Sequence, residues 1–254
     1  MEDVITEAAP PSRLLEEDLN NFTPPSKPLP SPFLLFPHTQ QQQQPLKPNL
    51  LIIAISSPSL SLFQTILNSQ TLTASLILPE LPLSHPDNTI DIHSISSNIL
   101  LATVRTSIPD NRAYAVADVL LNDRIRPDSV VILDSIQTMN HRGLLSSDEA
   151  VAFKLESSGE RKKAVGEKLL GELEYYPSGS VVDGLGAAIL GRCQILNLRA
   201  SLCVSWPQFD PSVVLLLKDL VRPLVEFDFG FNGNEEALKY GRNRDHVFQS
   251  HLYI

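Results

Sequence analysis

The chain has 254 residues, a hydrophobic fraction of 43% and a mean hydropathy of -0.01, which allow one large domain or two small ones with a sizeable core. Its net charge of -9 argues against broad nucleic-acid binding, which needs a basic surface, and against docking on anionic membranes. Its longest apolar runs are far shorter than the roughly 20 residues that cross a bilayer, so neither nucleic acid nor a membrane is an expected partner.

The first 48 residues differ in composition from the rest of the chain. They hold ten of the twenty prolines and a run of five glutamines at residues 40–44. Proline lacks a backbone donor and fixes φ, so this stretch predicts a disordered Pro/Gln-rich extension over residues 1–48. Within it, residues 12–19 (SRLLEEDL) have a capping serine and acidic residues that are typical of a short helix.

The folded part is predicted to begin at residue 49 with an α/β unit. Residues 50–55 form a continuous apolar run rich in β-branched side chains, which predicts a central strand buried on both faces. Ser57 can cap the helix that follows, and Pro58 fits its first turn. A strand that leads directly into a capped helix is typical of the α/β class.

The rest of the chain continues this alternation of strands and helices. Residues 88–95 and 98–106 predict two antiparallel neighbours joined by a turn at 96–98. The predicted elements are strands at 73–81, 88–95 and 98–106, a helix at 109–125 with Tyr114 on its buried face, a strand at 128–136, a helix at 181–197 capped by Asp183, a strand at 199–206, a helix at 210–224 that starts with Asp210 and Pro211, and a short helix at 234–243. This order predicts a single α/β domain at residues 49–243, with a mixed β-sheet flanked by helices, and a tail at 244–254.

Residues 138–180 look different, with many charged, glycine and serine residues and few long apolar runs. They predict a long loop with one or two weak helices, inserted into the α/β domain as a variable segment. The mixed charges of residues 160–168 are typical of a solvated helix face.

Candidate catalytic groups are few. Asp134 ends a predicted strand, where α/β enzymes place catalytic acids, and His93 lies on another strand. Gly184 and Gly186 fit two positions of the G-x-G-x-x-G phosphate-binding turn, but Ile189 occupies the third. No nucleophile, base and anion hole assemble from these residues. A protein without catalytic activity is therefore favoured, and a nucleoside- or nucleotide-processing α/β enzyme is the alternative.

No metal or cofactor site is predicted. Cys193 and Cys203 form no C-x-x-C pair, and none of the six histidines has the spacing of a metal-binding helix. Both cysteines have apolar neighbours, which predicts buried, reduced thiols. Reduced thiols favour a reducing compartment, the cytoplasm or the nucleus.

Three stretches resemble the proteasome assembly chaperone family. The ending Leu252-Tyr253-Ile254 looks like the hydrophobic–Tyr–X tail by which proteasome activators and assembly factors dock into pockets between α-subunits. Residues 49–69 resemble the opening strand and helix of that family. Residues 181–206 resemble its later helix and strand, with the small residues Ala187 and Ala188 and the pair Cys193-Gln194. The resemblance covers about half of the chain in patches, and the N-terminal extension departs from it.

This resemblance implies a non-enzymatic chaperone that pairs with a related protein, proteasome assembly chaperone 2, and caps the α-ring of the nascent 20S proteasome. Leu252, Tyr253 and Ile254 would enter an α-subunit pocket, with the terminal carboxylate bound at its floor. The partner interface is expected to be apolar, and the sheet edge and the helix around residues 213–217 are both candidates. The terminal residues could instead pack on the chain's own core.

Overall fold

A computed structural model describes residues 28–37, 45–82 and 88–225. The chain divides into units of residues 1–30 and 31–254, and all the elements below belong to the second unit. The strands are β1 (Phe33–Leu35), β2 (Leu50–Ala54), β3 (Thr71–Ile77), β4 (Thr89–Ser96), β5 (Ile99–Val104), β6 (Ser129–Ser135), β7 (Val151–Glu156), β8 (Glu174–Tyr175) and β9 (Arg199–Trp206). The helices are α1 (Ser57–Leu67), α2 (Asp110–Leu120), α3 (Ser158–Arg161), α4 (Gly184–Ile195) and α5 (Pro211–Val221), with single 3₁₀ turns at Thr138–Asn140 and Val165–Glu167.

The nine strands of the described residues form one mixed sheet in the order β1-β3-β4-β5-β2-β6-β9-β7-β8. The four central strands β5, β2, β6 and β9 are parallel. β4, β3 and β1 extend the sheet antiparallel on one side, and β7 is antiparallel to β9 on the other. The predicted class, a single α/β domain with a mixed sheet flanked by helices, is confirmed, as is the antiparallel pair β4 and β5.

Two helices cover each face of the sheet. α2 and α4 pack together on what we call the first face, and α1 and α5 pack together on the second face. Alternate residues of β2 point to the two cores, with Leu51 and Ile53 on the first face and Ile52 and Ala54 on the second. A strand buried on both sides needs apolar residues at every position, which explains the continuous run in this sequence.

Side chains cap the starts of α5 and α1. The Asp210 carboxylate accepts a hydrogen bond from Ser212 N at 2.8 Å at the start of α5, as Asp210 and Pro211 predict. At α1 the cap is Ser56, which accepts from Ser59 N, so the prediction that Ser57 caps is wrong by one residue. No helix in the described part of the chain is long and apolar enough to span a membrane.

The face of α2 is also shifted from the prediction. Tyr114 is 58% exposed, whereas Ala113, Val116 and Ala117 are buried. Each helical residue turns the side chain by about 100°, so the inward face passes through the small Ala113 and not through its larger neighbour. The buried face also includes Arg112, whose Nε lies 2.6 Å from Glu80 Oε1.

Part of the predicted N-terminal extension belongs to the sheet. β1 pairs antiparallel with the end of β3, and Leu46 exchanges backbone hydrogen bonds with the segment after α2. The predicted disorder of residues 1–48 is therefore wrong for these residues. Pro32 and Pro37 flank β1, as expected for an edge strand where a missing backbone donor faces no neighbour. Residues 1–27, with the short helix predicted at 12–19, lie outside the described residues.

The prediction of a long loop at residues 138–180 is wrong where β7 lies. β7 pairs with β9 over its whole length, from Val151 opposite Trp206 to Glu156 opposite Ser201. In the sequence VAFKLE, apolar residues alternate with Ala152, Lys154 and Glu156. Because Lys154 and Glu156 are charged, the sequence did not indicate that the strand is buried. The predicted solvated face at 160–168 is also wrong at Glu160, which is fully buried.

Candidate functional site

The three residues predicted to bind α-subunits, Leu252, Tyr253 and Ile254, lie outside the described residues, as does the short helix predicted at 234–243. The described part of the chain places the residues of the alternative enzymatic function, Asp134, His93 and the Gly184–Gly186 turn.

Asp134 lies near the end of β6, at the edge where the parallel strands end. Its Oδ1 accepts a hydrogen bond from Ser135 N at 2.8 Å. Its Oδ2 lies against the first turn of α4, where a Cβ added to Gly186 would be only 2.5 Å away. Gly186 is therefore a close-approach residue that lets this carboxylate reach the helix.

The pKa of Asp134 is raised from its ordinary range to about 6. Burial is the main cause, because a partly desolvated carboxylate resists ionisation, and the nearby charge of Asp183 adds to it. The hydrogen bond from Ser135 acts in the opposite direction. A perturbed acid at this edge of an α/β sheet is a feature that active sites share with strained structural sites.

The N-terminus of α4 is surrounded by carboxylates. Gly184 begins the helix with a φ of 62°, a value that suits glycine. Asp183 precedes it, and its side chain accepts a hydrogen bond from Asn140 Nδ2 at 2.7 Å instead of capping the helix. Helix N-termini attract anions, and here Asp134 and Asp183 supply them. A phosphate at the same turn would meet two negative charges, which argues against the phosphate-binding interpretation of Gly184 and Gly186.

His93 lies on the opposite face of the sheet from Asp134. His93 pairs with Leu101, which belongs to the second-face core, whereas Asp134 pairs with Val204 of the first-face core. Their strands are three spacings apart, about 14 Å. Burial lowers the pKa of His93. The positive charge of Arg105 lowers it further, and the negative charge of Asp91 acts in the opposite direction. Asp134 and His93 therefore cannot form one catalytic pair.

A cleft of about 390 Å³ opens at the end of β9, at the same edge as Asp134 but without it. Its lining is Ser147 together with residues 206–211. The Trp206 indole N–H donates to Ser146 O at 3.0 Å, which fixes the loop before β7 against the cleft. The cleft is aromatic, since Trp206 and Phe209 contribute to its wall, and Phe209 is 41% exposed.

A buried ionic cluster is the main feature that sequence reasoning missed. Glu156 has no exposed side-chain surface, and its carboxylate lies 3.1 Å from Lys154 Nζ and 2.9 Å from Lys168 Nζ. The Tyr175 hydroxyl donates to Glu156 at 2.6 Å, and Lys154 also donates to Leu170 O at 2.9 Å. These bonds attach the segment after α3 to β7. The alternation in VAFKLE was the available signal, because it places both charges on one strand face.

A second set of bonds attaches α3 to the body. Glu160 accepts from Arg199 Nε at 2.9 Å and from Leu169 N at 2.6 Å. At the end of α4, Gln194 Oε1 accepts from Ser158 N at 2.8 Å, and Gln194 Nε2 donates to Ser158 Oγ. Gln194, one of the residues that carry the family resemblance, is thus a positioning contact between α4 and α3.

The two cysteines are free and buried, as predicted. Burial raises the pKa of both thiols to about 12, so they are unreactive at neutral pH. In residues 28–37, 45–82 and 88–225, no cluster of three or more His, Cys, Asp or Glu side chains could hold a metal ion.

The two surfaces predicted as partner interfaces differ in exposed apolar area. In α5, Val213 and Leu217 are fully buried and Leu215 is 52% exposed. At the sheet edge, Phe33 and Leu35 of β1 are 47% and 55% exposed, and they share one face of the sheet because they are two residues apart. The edge therefore offers the larger apolar contact, and β1 is the outermost strand on this side of the sheet among the described residues.

Comparison with known proteins rests on structure. No protein-family model and no curated protein sequence matches the chain. A protein of unknown function from Thermoplasma acidophilum matches with a TM-score of 0.60 and 16% identity, over 80% of this chain and 88% of that one. Pyrococcus furiosus PbaA, an archaeal homologue of proteasome-assembly chaperone, matches with a TM-score of 0.58 and 14% identity, over 87% of this chain and 91% of that one.

A second Pyrococcus furiosus protein, PbaB, an archaeal proteasome activator, matches with a TM-score of 0.56 and 11% identity, over 86% of this chain and 98% of that one. The chain shares their fold.

Proposed function

We propose that the chain is a non-enzymatic chaperone for assembly of the 20S proteasome, in the role of proteasome assembly chaperone 1. It works as a heterodimer with the related proteasome assembly chaperone 2 and promotes formation of the α-ring. The observation that carries this proposal is the shared fold with PbaA and PbaB, a chaperone homologue and a proteasome activator. The separation of His93 from Asp134 supports a protein without catalytic activity.

The proposed contact with the α-ring is the tail Leu252-Tyr253-Ile254. The α-carboxylate of Ile254 binds donors at the floor of an α-subunit pocket, as in other modes of terminal carboxylate capture. Tyr253 places its ring on the pocket wall, and Leu252 adds apolar burial. The exposed edge at Phe33 and Leu35 supports the contact with the second chaperone. The two buried thiols suit the cytoplasm and the nucleus, where we place this activity.

The test is capture of recombinant α-subunits by the full chain together with its partner chaperone. Full burial of one large side chain contributes about 1.5–3 kcal/mol, so Tyr253→Ala should weaken capture about 10- to 100-fold. Extra residues added after Ile254 should weaken it as well, although Leu252 and Tyr253 remain. His251→Ala is the matched control and should bind as the unchanged protein does. Undiminished capture by a chain lacking residues 252–254 would contradict the proposed role of the tail.

A further inference from the structure

The aromatic cleft at the end of β9 opens on an edge that carries several carboxylates. Asp110 begins α2, Asp183 precedes α4, and Asp148 and Glu149 precede β7, all where the central parallel strands end. Within the described residues, no lysine or arginine lies within ion-pair distance of these four carboxylates. Carboxylates elsewhere, such as Glu80 and Asp118, do have arginine partners. Asp148 and Glu149 directly follow Ser147, which lines the cleft. An exposed aromatic cleft beside carboxylates that form no ion pair fits a ligand that is both aromatic and basic.

The chain contains such a segment beyond the described residues. Residues 239–244 read Lys-Tyr-Gly-Arg-Asn-Arg, with three cations within six residues and one tyrosine among them. An aromatic ring with a polar hydroxyl suits a cleft that has apolar walls and an open mouth. Arginine and lysine on either side suit carboxylates at the rim.

The segment is long enough to reach the cleft. α5 starts beside the cleft and runs back along the second face, where Val225 is buried in the same core as Leu50, the first residue of β2. The sheet is about 26 Å long along the eight residues of β9. With residues 226–233 extended and residues 234–239 in the predicted helix, the segment reaches about 35 Å, so it can return to the edge.

We propose that residues 239–244 dock on this edge within the same chain, with Tyr240 in the cleft and Lys239, Arg242 and Arg244 beside the carboxylates. The docking itself does not depend on the proposed function. The consequence of docking does depend on the proposed function. If the tail inserts into α-subunits, docking leaves only the seven residues 245–251 as a tether. A short tether holds Leu252-Tyr253-Ile254 near one edge of the domain and raises their effective concentration at a pocket that faces it.

Trypsin tests the docking directly, because it cuts after Lys239, Arg242 and Arg244. In the full chain at about 0.01 M salt, where charges act over about 30 Å, we expect these bonds to be cut about tenfold more slowly than at about 1 M salt, where they act over about 3 Å. Mass spectrometry of the fragments measures each cut. Tyr240→Ala, which keeps all three trypsin sites, should abolish the protection at low salt.

Variants of the edge separate docking from general protection. Phe209→Ala combined with Asp148→Asn and Glu149→Gln should bring the low-salt rate close to the high-salt rate, and all three side chains are exposed, so the fold should persist. The matched control is Leu215→Ala with Glu167→Gln and Glu172→Gln, three exposed residues that do not line the cleft, and it should stay protected. Equal rates in all variants at both salts overturn the proposal. Protection that grows with protein concentration also overturns it, because a second copy then occupies the cleft. Tyr253→Ala should leave the protection unchanged, so failure of the tail and failure of the docking are distinguished.

Discussion

Glu156→Gln is the sharpest test of the buried ionic cluster. The carboxylate of Glu156 is fully buried and lies within 3.1 Å of both Lys154 and Lys168, and Lys154 is itself 3% exposed. Removing the negative charge leaves the Lys154 cation buried without compensation, which costs about 3–5 kcal/mol for a broken buried pair. A domain of this size has about 5–15 kcal/mol of stability, so the loss should be plain in urea unfolding followed by the fluorescence of Trp206.

The pH dependence of this variant has a defined sign. Burial alone would raise the pKa of Glu156, but hydrogen bonds from Tyr175, Lys168 and Lys154 together hold it below its ordinary value of 4.5. A lowered pKa gives stability that is present above pH 4.5 and is lost as the pH falls below it. The difference in free energy of unfolding between the unchanged protein and Glu156→Gln should therefore become smaller below pH 4.5. The control is Glu167→Gln, whose carboxylate is 66% exposed and 4.0 Å from Lys163. Equal losses for the two variants would refute this account of the cluster.

Three further predictions concern α4 and its contacts. Asp134→Asn should raise the free energy of unfolding by up to about 3 kcal/mol above pH 6. The pKa of Asp134 is raised from 3.8 to about 6, so its ionisation lowers the stability of the unchanged protein as the pH rises through this range. The higher urea midpoint of the variant should therefore vanish below pH 3.8. Gly186→Ala should lower the melting temperature and cost about 1–3 kcal/mol of stability, since its Cβ would lie 2.5 Å from Asp134 Oδ2. The control is Gly191→Ala on the same helix, where the added Cβ meets open space and should stabilise the protein by about 0.5–1 kcal/mol. Gln194→Ala removes two hydrogen bonds to Ser158, so it should speed hydrogen exchange in residues 157–161 and cost about 1 kcal/mol of stability. The control is Gln64→Ala on the exposed side of α1, which should leave hydrogen exchange in these residues unchanged.

The fold was predictable where local chemistry and burial agree. Residues 50–54 are apolar without interruption because β2 is covered on both faces, and Asp210 with Pro211 marks the start of α5 independently of its surroundings. β7 was missed because tertiary partners override its local signal. Lys154 and Glu156 read as solvent-facing residues, and only the return of Lys168 and Tyr175 from later in the chain makes their burial tolerable.

The candidate site was predictable only in part for the same reason. The sequence places Asp134 near the end of a strand, and the structure confirms that position. Its contact with Gly186 depends on how α4 crosses the first face, which no local pattern specifies. Likewise, the sequence gives no sign that His93 faces away from Asp134, since faces are set by pairing register across three strand boundaries.

The edge where the central strands end bears on the choice between a nucleotide-processing enzyme and a protein without catalytic activity. In a dinucleotide-binding turn, glycines keep the helix N-terminus clear so that phosphate oxygens reach its N–H groups. Here the carboxylate of Asp134 lies against the first turn of α4 at Gly186, and Asp183 adds a second negative charge. The open cleft lies farther along the edge, at Trp206 and Phe209, and offers aromatic walls without phosphate donors from a glycine turn. Such an edge suits a peptide with aromatic and basic side chains better than a nucleotide, which supports the proposed docking of the chain's own tail.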